Sequence, residues 1–214
     1  GVACGMLIAA GASAQIDLRV VAAEGDPIPG TAYTISAIGQ SGAVVPDGGL
    51  VVFDAWTSDP QGEQQFSTLV ADAAGDLHVV ARAGAAVAGL PAGSTLGGHV
   101  EVIPDIHYQG GTLNVGARQL IVGAWFRDAA GGPSVDCWVA WDEDRGSHAF
   151  LIDEQTILVE GEPRRIRVER DGVGYGDQHA QFDAADRRVL RLLIEDADTP
   201  DAWHDALFRW SPGV

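Results

Sequence analysis

The chain has 214 residues, of which 46% are hydrophobic and 20% charged, and its formal net charge at pH 7 is −17. These values are typical of a folded protein with a sizeable core and exclude an intrinsically disordered chain. A surface this acidic repels nucleic acid and anionic lipid, so neither is expected as a partner. No stretch approaches eighteen consecutive apolar residues, so no membrane-spanning helix is predicted.

The first residues are small and apolar and predict the remainder of a truncated secretory signal at 1–14. They end in Ala12, Ser13 and Ala14, the small-x-small pattern that precedes a signal-peptidase site. An apolar N-terminal strand is the alternative. Residues 15–214 are predicted to form a single domain. If Cys4 is removed with the signal, Cys137 remains as a buried free thiol and no disulfide framework exists.

Short apolar runs bounded by Gly, Pro and Asp predict an all-β fold. In chain order the predicted strands are 18–23, 33–38, 50–56, 67–71, 77–83, 99–103, 119–126, 137–141, 148–152, 156–159, 165–168, 188–194 and 206–210. Turns that begin with Asp and carry Gly near their far end are predicted to join hairpins; they lie at 72–76, 128–132 and 142–146. The best helical candidate, 200–207, is one or two turns or simply a loop.

Two sets of strands recur at a nearly constant spacing, which predicts three imperfect repeats at roughly 18–76, 77–153 and 154–214. The first set is 50–56, 120–126 and 189–195, and the second is 68–72, 138–142 and 207–211; the offsets are 70 and 69 in both. A strand that ends at a glycine precedes each unit, at 20–30, 79–89 and 157–163. Four antiparallel strands per repeat predict a β-propeller-like fold, in which the three repeats form part of a larger propeller. A β-prism or barrel is the alternative.

The first repeat resembles the bacterial secreted "choice-of-anchor" proteins with tandem NxxGxxAF repeats. The resemblance is carried by Gly25-Asp-Pro-Ile-Pro-Gly30 after a Val-rich strand, and by Gly49 four residues before Phe53. Pro46 replaces the Asn of the motif, and later repeats lose the Gly and the Phe. The resemblance implies a secreted, surface-associated, propeller-like protein with no defined biochemical activity and no catalytic residue to transfer.

Repeat-related tryptophans are predicted to pack in the core, with an exposed aromatic platform as the alternative. Trp56 and Trp125 end equivalent strands, and Trp141 and Trp210 are 69 residues apart. Trp203 and His204 are predicted to lie on a loop and to contact a ligand.

Acidic turns predict calcium as the one cofactor to consider, because carboxylates are hard oxygen ligands. The candidate ligands are Asp142, Glu143 and Asp144. The same aspartates are explained equally by turn capping. Pairs such as Asp105 with His107 offer a less favoured zinc or general-base site.

These patterns favour a secreted or cell-surface, non-catalytic module that binds a protein or glycan partner. A propeller-class glycoside hydrolase that uses loop carboxylates is the first alternative, and a purely structural repeat is the second. Acidic residues and histidines clustered at a central mouth would favour the enzyme, whereas exposed Trp on a flat face would favour the binder. Three repeats are few for a closed propeller, so a homodimer that closes one ring is also considered.

Overall fold

The computed structural model describes residues 20–44, 50–99, 113–115, 119–168, 181–182 and 188–210. Within these residues all regular secondary structure is β, in three antiparallel sheets that we name A, B and C in chain order. The predicted all-β, blade-like architecture is therefore confirmed, and no sheet in the described part closes into a barrel. None of the described residues forms a helix long and apolar enough to cross a membrane.

Each sheet is antiparallel and is built from one continuous part of the chain. Sheet A has the order β1-β2-β3-β4, with strands Thr34–Val44, Val51–Ser58, Gln64–Ala71 and Leu77–Arg82. Sheet B has the order β5-β7-β8-β9 with β6 also on β7; its strands are Thr95–His99, Leu113–Val115, Gln119–Arg127, Val135–Asp142 and Gly146–Ile152. Sheet C has the order β10-β11-β13-β12 with β14 also on β13; its strands are Thr156–Val159, Glu162–Arg167, Gln181–Phe182, Arg188–Glu195 and Trp203–Trp210.

A two-bond backbone clamp recurs at the entrance to every sheet. In each clamp the third residue of a tight turn donates its N–H to a residue of the incoming strand, and that residue returns an N–H to the next carbonyl of the turn. The donors and acceptors of the first bond are Gly25 and Ile35 (2.7 Å), Gly84 and Leu96 (2.8 Å), and Glu154 and Ile166 (2.8 Å). All three turn residues have positive φ, at 91°, 78° and 59°, which explains glycine at two of them.

The clamp shows that the third glycine-marked element begins earlier than the sequence indicates. Glu154, which lacks the conformational freedom of glycine, occupies the turn position that Gly161 was expected to fill. Gly161 instead lies in the tight hairpin between β10 and β11, where its φ is 88°. The glycine pattern did not reveal this turn, because a glutamate adopts the left-handed conformation here.

The first set of repeated strands is spaced one residue less than the sequence alignment gives. Asp59, Asp128 and Asp196 each open the turn that follows β2, β7 and β13, and they are 69 and 68 residues apart. The second set keeps offsets of 70 and 69, because Gln65, Val135 and His204 occupy matching cross-strand positions. This difference of one residue matters, because a shift of one residue along a strand exchanges the side chains on its two faces.

Sheet B repeats the irregularities of sheet A. A bulge in the first strand separates Ile35 from Ala37 in β1 and Leu96 from Gly98 in β5. A second bulge lies between β3 and β4 at Thr68, and between β8 and β9 at Trp138. In sheet A the pairing of the first strand shifts again between Ile38 and Gly42, and in sheet B both β5 and β6 pair with β7.

The sheets stack face to face, and each interface is a separate hydrophobic cluster. Between sheets A and B the cluster includes Val52 and Val70 from one side and Leu120, Val122 and Trp141 from the other. The cluster between sheets B and C contains Ile121, Trp138, Ala140, Leu151, Ile166, Val168, Leu192 and Ile194. On the outer face of sheet A, Ile28 and its neighbours cover Ile35, Phe53, Ala55, Leu69, Ala71 and Leu77.

The repeated tryptophans divide between core and surface. Trp141 lies in the cluster between sheets A and B, as the core prediction expects. Trp56 is 45% exposed and contacts Phe66 edge to face, with 5.5 Å between ring centroids. Its counterpart Trp125 is less exposed, because it lies over Gly97 and Gly98.

We expect Gly98→Ala to lower the free energy of unfolding by about 2 kcal/mol. A Cβ at this position would lie 2.4 Å from Cζ2 of Trp125, so the indole must move off the strand. Urea denaturation measures the loss. Ala37 occupies the equivalent position beside Trp56, so Ala37→Gly is the control and should cost less. Equal losses in the two variants would contradict the indole-contact explanation.

Candidate functional site

A cluster of interconnected side chains lies at one corner of sheet C, where β13 turns into β14. The turn at 196–202 is built by Asp196, whose Oδ1 accepts N–H groups from Asp198 (2.8 Å) and Thr199 (3.0 Å). Its backbone N–H also bonds to the carbonyl of Ala202 at 2.8 Å. Asp201 has a φ of 62°, which is uncommon for a residue with a side chain. The turn thus holds a carboxylate in a fixed position over the strand ends.

Arg165 from β11 joins the strand ends to this turn. Its Nε donates to Oε2 of Glu195 at 2.9 Å, and its Nη2 donates to Oε1 at 2.5 Å. The same Nη2 reaches Oδ1 of Asp201 at 2.7 Å, while the backbone N–H of Asp201 donates to Oε1 of Glu195 at 3.0 Å. The forked geometry is the one in which an arginine–carboxylate pair is strongest.

The charges in this network change the acid–base behaviour of both partners. Hydrogen bonds from Arg165 lower the pKa of Glu195 from 4.5 to about 2. The hydrogen bonds to Glu195 and then to Asp201 raise the pKa of Arg165 above its usual range. Both groups are therefore charged at every physiological pH, and neither is suited to exchange a proton in a reaction.

Trp203 is the first residue of β14, and two guanidinium groups lie over its ring. The Cζ of Arg167 is 4.9 Å from the ring centroid of Trp203, and the Cζ of Arg165 is 5.4 Å from it. Cation–π attraction holds long arginine side chains against an indole at such distances. Arg165 is already bound by two carboxylates, whereas Arg167 is exposed. We call Arg165, Arg167, Glu195, Asp201 and Trp203 the tryptophan corner.

The corresponding corners of sheets A and B carry only polar or small groups. Gln64, the first residue of β3, and Ser134, the residue before β8, occupy the place of Trp203. Gln64 donates to Ser36 Oγ at 3.4 Å, and Ser134 accepts from Arg127 Nε at 3.5 Å. Sheets A and B therefore form without an aromatic side chain at this position.

The structure places the two predicted ligand residues on a strand rather than on a loop. Trp203 and His204 are the first residues of β14, and the helical or loop expectation for 200–207 is wrong from Trp203 onwards. His204 pairs with Ile194, whereas Trp203 pairs with Glu195, so the two side chains leave opposite faces of the strand. His204 is exposed and lies outside the tryptophan corner.

The sequence reading missed Arg165, Arg167 and Glu195 as members of a site. The available signal was the concentration of arginine after Glu162, which is typical of a solvated edge strand. Nothing local distinguishes Arg165 from the other arginines, because its carboxylate partners are 30 and 36 residues away.

The predicted calcium ligands lie in the turn between β8 and β9. Asp142 is buried, and its Oδ1 accepts the backbone N–H of Arg145 at 2.7 Å while its Oδ2 binds the guanidinium of Arg145. Burial alone would raise the pKa of Asp142, but the hydrogen bonds from Arg145 outweigh it and lower that pKa. Glu143 and Asp144 are exposed. A calcium ion at Asp142 would have to displace Arg145, and calcium binding stays a prediction.

Among the described residues, no three His, Cys, Asp or Glu side chains form a group that could hold a metal ion. The pair Asp105 and His107 lies outside those residues, as does Cys4. Cys137 is buried as expected, and burial raises the pKa of its thiol to about 12. A thiol with so high a pKa is a packing group and not a nucleophile.

Comparison with known families finds one similarity. Residues 7–112 match a family of unknown function (DUF7453), a span that includes all of sheet A and the first strand of sheet B. Neither the curated proteins nor the solved structures include a match to this chain. The match therefore covers the first repeat and stops before the tryptophan corner.

We expect the stabilising effect of Glu195 to disappear at low pH. Its pKa in the folded protein, about 2, is below its ordinary value of 4.5, so the carboxylate stabilises the fold above pH 4.5 and loses this effect as the pH falls towards 2. Chemical denaturation of the native protein and Glu195→Gln should show a stability difference that is constant near neutral pH and shrinks between pH 4.5 and 2.

The matched control is Glu143→Gln, which removes an exposed carboxylate from another turn. It should leave the pH dependence of unfolding nearly unchanged. A difference between native and Glu195→Gln that persists at pH 2 would contradict the ion-pair assignment.

Proposed function

We propose that this protein is a bacterial secreted or cell-surface module without catalytic activity, and that it binds a protein or glycan partner through the tryptophan corner. Three features support the proposal: the acidic composition, the small apolar N-terminal residues and the repeated β architecture. The observation that carries it is the presence of Trp203 and its two arginines at a position where the equivalent residues are Gln64 and Ser134.

The composition of the corner favours a protein as the partner. Tryptophan and arginine are the residues most enriched among those that dominate binding energy at protein interfaces. Arg165 is fixed by Glu195 and Asp201 before any partner arrives, so little side-chain entropy is lost on binding. The two guanidinium groups already lie over the indole, which leaves less of its surface for stacking against a sugar ring.

Use of the turn carboxylates as caps argues for binding over glycoside hydrolysis. Asp59, Asp72, Asp128 and Asp196 each accept backbone N–H groups of their own turns. A hydrolase needs one carboxyl group that holds a proton near neutral pH. In the tryptophan corner the hydrogen bonds from Arg165 instead lower the pKa of Glu195, so this carboxyl group does not hold a proton near neutral pH.

We expect Trp203→Ala to weaken partner binding by about 30-fold, the loss typical of a dominant interface residue. A photo-crosslinking benzoylphenylalanine at Thr199, an exposed residue of the adjoining turn, first captures the partner from intact cells. The captured protein is then purified and titrated against native chain and variant by calorimetry. A glycan array is probed in parallel with the same two chains.

Trp56→Ala is the control, because it removes an exposed indole from sheet A, away from the corner. Urea denaturation of both variants verifies that they remain folded. Unchanged affinity in Trp203→Ala would overturn the assignment of the corner, as would binding of neither a protein nor any arrayed glycan. Array binding that depends on Trp203 would instead identify a glycan partner.

A further inference from the structure

Within the described part of the chain, sheet C has no strand that corresponds to β4 of sheet A and β9 of sheet B. In sheet A, β4 pairs with the outer edge of β3, and in sheet B, β9 pairs with the outer edge of β8. The strand of sheet C that corresponds to β3 and β8 is β14. It pairs with β13 and with no other strand in the described part of the chain. An open edge of this kind presents unpaired N–H and C=O groups that can accept another strand.

Residues 20–23 have the local structure of such a completing strand but precede the first sheet. They end in the same turn as β4 and β9, since Asp26 N–H bonds to Ala23, Ala85 N–H to Arg82 and Gln155 N–H to Ile152, each at 3.1 Å. Yet residues 20–23 are not assigned to a strand. They lie against the outer face of sheet A, where Val21 and Ala22 pack on the cluster around Phe53.

An apolar groove remains beside this segment on the outer face of sheet A. It has a volume of about 400 Å³ and is lined by Val20, Val21, Ala22, Ile38, Val51 and Phe53. Val20 is 78% exposed and Ile38 is 42% exposed. The counterparts of Val51 and Phe53 in sheet B are Leu120 and Val122, and both are fully buried in the cluster that sheet A completes.

We propose that copies of this chain associate head to tail, with residues 20–23 of one copy completing sheet C of another. The outer face of that sheet C would then cover the groove on sheet A of the first copy. The two open surfaces are the two halves of an interface that the molecule already forms twice, between A and B and between B and C. Such a contact joins different surfaces and produces a closed ring or an open chain of copies.

The repeat also fixes the register of the intermolecular strand pair. Leu69 faces Val79 in sheet A, and Val139 faces Ala149 in sheet B. The same positions place Phe208 opposite Val20 across the interface. The tryptophan corner stays accessible in this arrangement, because Gln64 and Ser134, which occupy its place, are exposed beside interfaces that are already formed. Self-association is therefore separate from the proposed partner binding.

Analytical ultracentrifugation of the full chain tests the proposal. We expect the native protein to sediment as dimers or larger species, with Val20→Asp and Leu193→Asp each lowering the association constant at least 10-fold. Val20 belongs to the groove, and Leu193 lies on the open face of sheet C, opposite the buried Leu192. An equimolar mixture of the two variants should form a 1:1 heterodimer, because each supplies the surface that the other lacks.

Ala130→Asp is the control, since Ala130 is exposed in the turn between β7 and β8 of the central sheet B and the change adds the same charge. It should leave the association unchanged. Native chain that stays monomeric, or variants that associate like the native chain, would overturn the proposal. Failure of the mixture to form a heterodimer would also overturn the proposal, because mixing the two variants restores an interface only if it joins two different surfaces.

A disulfide crosslink tests the register independently of affinity. One copy carries Val20→Cys and the other Phe208→Cys, both with Cys4→Ser; Cys137 is buried and does not compete. The mixture should give a crosslinked heterodimer under mild oxidation, and neither variant alone should crosslink. Absence of the heterodimer, or equal yields from Val20→Cys alone, would refute the predicted pairing of Val20 with Phe208.

Discussion

The backbone clamp at the entrance to each sheet is the constraint on which the rest of the structure depends. It connects the turn that leaves one sheet to the first strand of the next, as Gly84 does with Leu96 and Glu154 with Ile166. The clamped side chains Leu96 and Ile166 are fully buried, so two hydrogen bonds and one apolar anchor act at the same point. Because the clamp fixes where the incoming strand starts, it also fixes which face of that strand meets the preceding sheet.

The scaffold explains why an acidic chain does not automatically create a cation site. Many carboxylates occupy the turns, where they accept backbone N–H groups and keep the hairpins short. Asp142 adds an ion pair with Arg145 to the same capping role. Acidity here is therefore partly a consequence of the number of turns that three antiparallel sheets require, and partly a surface property that disfavours anionic partners.

The candidate site lies where one repeat differs from the other two. Gln64 and Ser134 occupy this position in sheets A and B, whereas sheet C has Trp203. The ion pair of Arg165 with Glu195 fixes the guanidinium group beside Trp203. The same comparison shows that no described strand lies beside β14 in sheet C, whereas residues 20–23 lie against sheet A without joining a sheet.

The sequence by itself determined the all-β class, most strand positions, the Asp-capped turns and the existence of three repeats. These features follow from local chemistry, namely alternating apolar residues and turn residues with strong conformational preferences. It did not determine β6 or β12, which are three and two residues long. It also did not determine how β2, β7 and β13 align, because that alignment follows from which side chains of each strand face the neighbouring sheet. Only the tertiary structure brought Arg165, Glu195 and Trp203 together, because their contacts span three strands and depend on how the strands pair.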